Sequence, residues 1–146
     1  EVDAVIHVPG LADWANVPKR LLAIRAFNAL PEASALAAAN KRIGNILKKV
    51  QDVDPHVSEV LLQEPAEIAL YAAMQKVIPT ADALYQAGEY AASLQALAAL
   101  RAPVDNFFVE VMVNAEALDL RLNRLGLLRR LHNAMNQVAD LGRLAA

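Results

Sequence analysis

The sequence contains no cysteine and few aromatic residues, and it has no apolar run of the roughly 18 residues that a membrane-spanning helix needs. Without thiols the chain forms neither a disulfide nor a thiolate-ligated metal site, and we expect a cytoplasmic location with no membrane partner. Its start has neither the basic nor the apolar region of a signal peptide, and it does not begin with methionine. We therefore expect a piece of a longer cytoplasmic protein.

Helix-forming residues dominate what is present. The 146 residues are 56% hydrophobic, whereas β-branched clusters and alternating strand patterns are sparse. This length fits a single domain, residues 1–146, which can bury a core without disulfides. Because the connections are short, neighbouring helices should pack antiparallel. The sequence thus predicts an all-α antiparallel bundle of about six to seven helices.

Apolar periodicity and proline positions define the predicted helix limits. We expect Pro18 either to kink the second helix or to lie near its true start, and Pro79 to kink or break a longer helix. Residues 56–63 should form a short helix or a loop. The predicted helices cover approximately residues 2–8, 11–30, 31–50, 65–88, 90–100, 103–113 and 116–144.

Residues that could carry catalysis are scattered along the chain. The three histidines are far apart and show no zinc-ligand spacing, and we expect His132 at the surface or the core edge. The glycines stand singly, so no phosphate-binding loop is present. We expect no active site, no metal and no cofactor in this chain. The neighbouring carboxylates are expected to be surface charges: Glu64 with Glu67, and Asp105 with Glu110.

Two glycines and three aromatic residues lie where their role is open. Gly44 and Gly126 fall inside predicted helices, where each costs about 1 kcal/mol relative to alanine. Close helix packing or a backbone approach to a ligand would justify that cost, and we favour packing. We expect Phe107 and Phe108 to fill the core, and Trp14 to serve either the core, an interface or a stacking platform.

Charge is divided unevenly along the chain, although the net charge is only −2. Residues 1–51 carry a net charge of +3, residues 52–119 carry −9 and residues 120–146 carry +4. If the two ends pack together, they form one basic surface on an otherwise acidic domain. Ordinary scatter of charge over helix surfaces is the alternative.

The two basic ends place cations at helical spacing. Lysines, an arginine and an amide share one face of the third helix, opposite its apolar residues, and arginines recur on the last helix. Lysine and arginine neutralise phosphates, whereas asparagine bonds base edges and arginine also stacks on unpaired bases. A solvated amphipathic helix is an equally good explanation of either pattern alone. The residues are Lys41, Arg42, Asn45, Lys48 and Lys49 on the third helix, and Arg121, Arg124, Arg129 and Arg130 on the last.

Two segments resemble a known family. LPEASALAAANKRIGNILKK (residues 30–49) and APVDNFFVEVMVNAEALDLRLNRLGLLRRL (residues 102–131) are similar to the C-terminal end of the bacterial glycyl-tRNA synthetase β subunit. The resemblance implies a DALR-type anticodon-binding domain, with tRNA(Gly) as its RNA partner. It also implies a heterotetramer in which the α subunit, reached through the full-length β chain, uses ATP and Mg to charge the tRNA. The chain itself we expect to be monomeric.

The resemblance also implies which residues lie on the RNA face. Asn40, Lys41, Arg42 and Asn45 match one motif, LAAANKRIGNIL, and Asn123 and Arg124 match a second, LRLNRL. The predicted RNA-binding set is completed by the adjacent cations Lys48, Lys49 and Arg121. For Asn40 and Asn123, hydrogen bonds that fix helix packing are a nearly equal alternative. Val109, Asn114 and Ala117 depart from the family pattern, which puts local helix ends and partner contacts in doubt.

Two functions are compatible with these observations. The first is recognition of a tRNA anticodon, with bases splayed against the helices and lysines on the flanking phosphates. The second is a helical protein-interaction module that docks on another domain or subunit through an apolar groove, without base recognition. The two predict opposite effects of changing surface cations and apolar surface residues.

Overall fold

The computed structural model describes residues 16–50 and 53–144, and within these ranges the chain is helical with no β-strand. The predicted helix over residues 2–8 and Trp14 lie outside the described residues. The all-α fold class is confirmed. Six α-helices are described, and three short 3₁₀ segments accompany them. The α-helices are α1 (Val17–Asn28), α2 (Ala33–Lys48), α3 (Pro65–Gln86), α4 (Tyr90–Leu97), α5 (Arg101–Glu110) and α6 (Leu118–Met135).

Local signals explain where several helices begin and end. Pro18 lies in the first turn of α1, where its missing N–H costs nothing, so it marks the helix start. At the start of α3, Glu67 accepts hydrogen bonds from the backbone N–H groups of Gln63 and Glu64, which closes a capping box. The same helix ends before Gly88, whose φ of 78° suits a residue without a Cβ. Pro79 does not break α3, which continues to Gln86.

The apolar faces of all six helices meet in one core. Its largest fully buried side chains come from all six and include Phe27, Ile43, Leu70, Phe107 and Leu131. Phe107 is therefore a core residue, as predicted. Phe108 is only half-buried at the edge of the core, so its predicted place inside the core is wrong. Residues 53–64, which precede α3, form a loop with one 3₁₀ turn, Glu59–Leu61, in agreement with the loop or short helix expected for residues 56–63.

The basic N-terminal and C-terminal parts of the described chain pack side by side. Helix α2 contacts α6 and, more extensively, the 3₁₀ segment Leu141–Leu144, here called the C-terminal turn. Helix α3 packs against α4, α5 and α6 on the other side of the core. The expectation that the two basic ends meet is confirmed, and the groove between them is the starting point for the site.

The last helix is shorter than predicted. It ends at Met135 rather than continuing to Leu144, because Asn136 stops it. The Asn136 side chain donates to the His132 carbonyl at 2.6 Å and accepts from the Leu141 N–H at 3.0 Å. Val138 and Leu141 remain buried, as their apolar spacing predicted, but the reversed chain rather than a helix delivers them. This reversal brings the C-terminal turn over α2.

Candidate nucleic-acid interface

Helix α2 presents a polar face that matches the sequence prediction. Its apolar residues, including Leu36, Ile43 and Leu47, are buried. The five polar residues predicted to share the opposite face are all exposed, and they are Lys41, Arg42, Asn45, Lys48 and Lys49. Whether they bind RNA stays a prediction, but their common exposed face is confirmed.

A groove of about 480 Å³ lies between this face, α6 and the C-terminal turn. Among its lining residues four are cationic and one is a carboxylate, Asp140. Asp140 pairs with one of the cations, Arg143, at 3.2 Å. The concave surface therefore concentrates positive charge where an anion could be surrounded from two sides. The cations are Lys41 and Lys48 from α2, Arg129 from α6 and Arg143 from the C-terminal turn, and we call this surface the basic groove.

Small residues allow the walls of the basic groove to approach each other. A Cβ added to Gly142 would lie 3.2 Å from Asn40 Oδ1 and 3.4 Å from Lys41 Cα, so the C-terminal turn rests almost directly on α2. A Cβ added to Gly44 would lie 3.5 Å from His132 Nε2, which is an ordinary contact. Close packing of the C-terminal turn on α2 thus explains the glycine at position 142, whereas the space beside Gly44 would also accept an alanine.

His132 lines the basic groove from the α6 side. Burial, with a further contribution from the Arg129 cation, lowers the pKa of His132 below its usual 6.5, although the Asp140 carboxylate opposes the shift. The imidazole is therefore mainly neutral at pH 7. A neutral ring carries one donor and one acceptor nitrogen, so it offers hydrogen bonds to a ligand without adding charge.

Arg124 does not belong to this surface, and the expectation that it lies on an exposed RNA face is wrong. It is 5% exposed and pairs with Glu67, which is fully buried at 0%. Arg124 Nε lies 3.1 Å from Glu67 Oε2, and a second guanidinium nitrogen lies 3.3 Å from Oε1. The third donates to the Met112 carbonyl at 2.7 Å. This bidentate pair joins α6 to the start of α3.

The prediction that Glu67 is a surface charge is therefore wrong, because its side chain is fully buried. The signal that could have found it is the pattern Glu64-Pro65-x-Glu67 at a helix start, in which the third helical position turns back to the backbone. That arrangement holds the carboxylate against the helix end, where α6 can reach it.

Asn123 and Asn40 are also buried rather than exposed to solvent. The side-chain amide of Asn123 accepts a hydrogen bond from the Ser58 N–H at 2.7 Å and donates one to the Ser58 carbonyl at 3.2 Å. It thereby satisfies both backbone groups of Ser58 and holds the loop before α3 against α6. Next to it, a Cβ on Gly126 would lie 2.5 Å from the His56 carbonyl oxygen. Gly126 thus makes room for the loop, as the packing interpretation predicts. Asn40, 1% exposed, forms part of the inner wall of the basic groove.

Arg121 and Arg130 are half-exposed on α6. Neither is among the residues that line the basic groove. The structure therefore divides the predicted set. Lys41, Asn45 and Lys48 line the basic groove together with Arg129 and Arg143, whereas Arg42 and Lys49 are exposed outside it. Arg124 and Asn123 hold the bundle together. An RNA role for Arg121 stays a prediction.

Arg20 is a structural residue that the sequence gave no reason to single out. It is 5% exposed and donates to the carbonyls of Gln137 and Val138 at 2.6 and 2.7 Å. Its guanidinium carbon lies 4.9 Å from the centre of the Tyr90 ring, within cation–π range. Arg20 thereby fixes the segment that leads into the C-terminal turn, and so positions one wall of the basic groove from α1.

The comparisons with known proteins identify the family. The model of the DALR anticodon binding domain matches residues 36–141, from the middle of α2 to the C-terminal turn. The chain belongs to this family. The match includes every lining residue of the basic groove except Gly142 and Arg143.

Curated relatives support the same assignment. The chain is 75% identical to the glycine–tRNA ligase beta subunit of Polaromonas naphthalenivorans over its whole length. It is 66% identical over 99% of its length to that of Paracidovorax citrulli, and 65% identical over its whole length to that of Leptothrix cholodnii. In each case the chain spans 20% of the relative. The resemblance inferred from the two motifs is thus confirmed.

No helix among the described residues is both long and apolar enough to cross a membrane. In residues 16–50 and 53–144, no three or more histidines and carboxylates are grouped closely enough to hold a metal ion.

Proposed function

We propose that this chain is the anticodon-contacting domain of a glycine–tRNA ligase β subunit, and that the basic groove holds the phosphate backbone of tRNA(Gly). The observation that carries the proposal is the convergence of Lys41, Lys48 and Arg129 on one concave surface. These cations come from both basic ends of a chain whose middle is acidic. An RNA strand is the polyanion that suits such a surface in this family.

Each residue type in the groove has a distinct role in this proposal. Lys41, Lys48 and Arg129 neutralise successive phosphates and release counterions, which makes binding sensitive to salt. Asn45, exposed on the same face, offers an amide to a base edge. His132, held neutral, supplies a further hydrogen bond from the opposite wall.

The chemistry of charging belongs elsewhere in the assembly that we propose. ATP and Mg act on the α subunit, which this chain reaches through the rest of a longer β chain in a heterotetramer. The domain contributes affinity and discrimination between tRNAs in a cytoplasmic enzyme, and it supplies no catalytic group. Its own contact is expected to be weak, and linkage to other tRNA-binding parts raises the effective affinity.

The test is binding of tRNA(Gly), and of tRNA(Gly) with altered anticodons, to the 146-residue chain at two salt concentrations. Lys41→Ala and Lys48→Ala should each weaken binding several-fold and reduce the slope of log affinity against log salt by about 0.7–0.9. Lys76→Ala is the matched control, because Lys76 is an exposed lysine on α3, outside the groove. Equal affinity for all anticodons would remove the recognition part of the proposal. Unchanged binding by the groove variants would remove the groove.

A second candidate function rests on a different surface. A groove of about 420 Å³, mainly apolar, is lined by residues that include Val53, Leu61 and Leu122. Leu122 is 55% exposed, which is unusual for a leucine on a helix that packs against its neighbours. In this alternative the chain docks on another domain or subunit. Leu122→Ser would then weaken assembly of the parent enzyme, whereas Lys41→Ala would leave both assembly and tRNA binding intact.

A further inference from the structure

A second, smaller surface lies on the other side of α2. It is a shallow groove of about 380 Å³ between α2 and α5. Its α2 wall consists of Ala35, Ala38 and Ala39 followed by Arg42, and its α5 wall consists of Asp105, Phe108 and Val109. The alanines leave open space beside a cation and an aromatic ring. This groove is separate from the basic groove, but both border the same exposed face of α2.

Arg42 lies against the Phe108 ring rather than extending freely into solvent. Its guanidinium carbon lies 4.3 Å from the centre of the Phe108 ring, well within the roughly 6 Å over which a cation attracts an aromatic face. Phe108 in turn meets the fully buried Phe107 edge to face, with ring centres 5.5 Å apart and planes at 79°. Phe107 therefore anchors Phe108 at the edge of the core, and Phe108 holds the Arg42 guanidinium close to its ring.

Asp105 adds an acceptor to this groove. Its carboxylate pairs with Arg101 at 3.5 Å, and both side chains are about half exposed. Such an exposed pair is weak, so the carboxylate retains open acceptor positions. Carboxylates accept hydrogen bonds from the exocyclic amino groups of bases, as in contacts with cytosine N4.

We propose that the Arg42–Phe108 stack is a platform for one unpaired nucleobase that carries an exocyclic amino group. The base lies on the outer face of the Arg42 guanidinium and over the alanines, and its amino group donates to Asp105. Phosphates on either side continue along the lysines of α2. This inference rests on the proposed function, since it assigns one base to an RNA strand whose backbone lies in the basic groove.

Short single-stranded RNAs test the platform directly. Pentamers of cytidine, adenosine and uridine carry the same charge, but uracil has no exocyclic amino group. We expect the 146-residue chain to prefer the cytidine and adenosine pentamers over the uridine pentamer by about tenfold. Asp105→Asn should reduce that preference to near unity. Comparing the affinities for the cytidine and adenosine pentamers then shows which of the two amino-bearing bases fits better.

Conservative variants separate stacking from charge. Arg42→Lys keeps the charge but loses the plane, and Phe108→Leu keeps an apolar side chain but loses the ring. Each should lower affinity for the cytidine pentamer about five- to tenfold while the salt slope stays as in the unchanged chain. Arg25→Lys, at an exposed arginine of α1 that lines neither groove, is the matched control and should change nothing. Circular dichroism and urea unfolding establish that each variant is folded.

The outcomes distinguish the two proposals. Salt-dependent binding without a preference among the pentamers, or a preference that survives Arg42→Lys and Phe108→Leu, overturns the platform and leaves the basic groove intact. If Lys41→Ala and Lys48→Ala also leave pentamer affinity unchanged, both proposals fail.

Discussion

Arg124 provides the sharpest test of the structure, because its sequence motif and its position give opposite expectations. If Arg124 contacts RNA, replacing it weakens tRNA binding and leaves stability unchanged. In the fold, however, its side chain is buried against Glu67 and the Met112 carbonyl. We therefore predict that Arg124→Met lowers stability strongly, and that the fraction that remains folded retains its affinity for tRNA.

The size of the effect follows from what the substitution leaves behind. Glu67 is fully buried, so removing Arg124 leaves a carboxylate that has lost its cation and two hydrogen bonds. Breaking a buried pair in this way costs about 3–5 kcal/mol. A domain of this size is stable by roughly 5–15 kcal/mol, so about a fifth or more of its stability is at stake. With a urea dependence of about 2 kcal/mol per molar, the unfolding midpoint falls by roughly 2 M.

A double-mutant cycle isolates the pair. Glu67→Gln keeps an oxygen that accepts from the backbone N–H groups of Gln63 and Glu64, which preserves the capping box, and it removes the charge. The double variant Arg124→Met, Glu67→Gln should be less destabilised than the two single changes together, with a coupling of about 2–3 kcal/mol. Arg121→Met, one turn away and half-exposed, should change stability by less than about 0.5 kcal/mol.

The measurement is urea unfolding followed by circular dichroism, with tRNA(Gly) binding measured on the same preparations. A midpoint for Arg124→Met within 0.3 M or so of the unchanged chain would refute the reasoning, because a buried ion pair cannot be broken without cost. If tRNA affinity also fell, Arg124 would have to lie on the RNA surface, as its motif suggests.

Three further predictions concern the glycines of the helices, His132 and Arg20. Gly126→Ala should destabilise the chain by about 2–4 kcal/mol in urea unfolding, because the added Cβ would overlap the His56 carbonyl. In Gly44→Ala the added Cβ makes only an ordinary contact, so this variant should be neutral or stabilising by up to about 1 kcal/mol. Because the pKa of His132 is lowered in the fold, its protonation favours the unfolded chain; stability should be full above pH 6.5 and fall as the pH drops below it. His132→Gln should remove this part of the fall, and His56→Gln, at an exposed histidine, should not. Arg20→Met should lower the free energy of unfolding by about 2–3 kcal/mol, because the carbonyls of Gln137 and Val138 lose their hydrogen-bond donor. It should also weaken tRNA binding, because the C-terminal turn is no longer held in place. Full tRNA affinity in the folded variant would contradict this role of Arg20.

The fold class could be predicted from the sequence because helix propensity and apolar periodicity are local properties. Leu36, Ile43 and Leu47 recur at helical spacing, and all three are buried in α2. The end of the last helix was predicted wrongly, because the spacing of its apolar residues does not show where the helix stops. Val138 and Leu141 continue the apolar spacing, but the side chain of Asn136 satisfies the backbone on both sides of a turn and reverses the chain.

The site was predictable only as far as exposure follows from helical spacing. The prediction of an exposed polar face on α2 was correct, because its residues lie opposite a clear apolar stripe. Helix α6 has no such guide: it is buried on most sides, so a charge on it is as readily a buried partner as a surface cation. Arg124 pairs with Glu67, which lies 57 residues away in the sequence, and no local sequence pattern predicts such a pair.

The corrected positions change how a basic motif on a helix in this bundle should be interpreted. Asn123, Arg124 and Gly126 are consecutive or nearly so, and each meets a different part of the loop region between α2 and α3 or the start of α3 itself. A motif that must satisfy three contacts at once tolerates little change, whether or not it touches RNA. The cations that we propose to meet RNA are those that remain exposed to solvent. Lys41, Lys48 and Arg42 are exposed on α2, although Arg42 also contacts the Phe108 ring. Burial of Arg124 on α6 and exposure of the cations on α2 therefore have different physical causes, and the proposal of RNA recognition rests on the exposed cations.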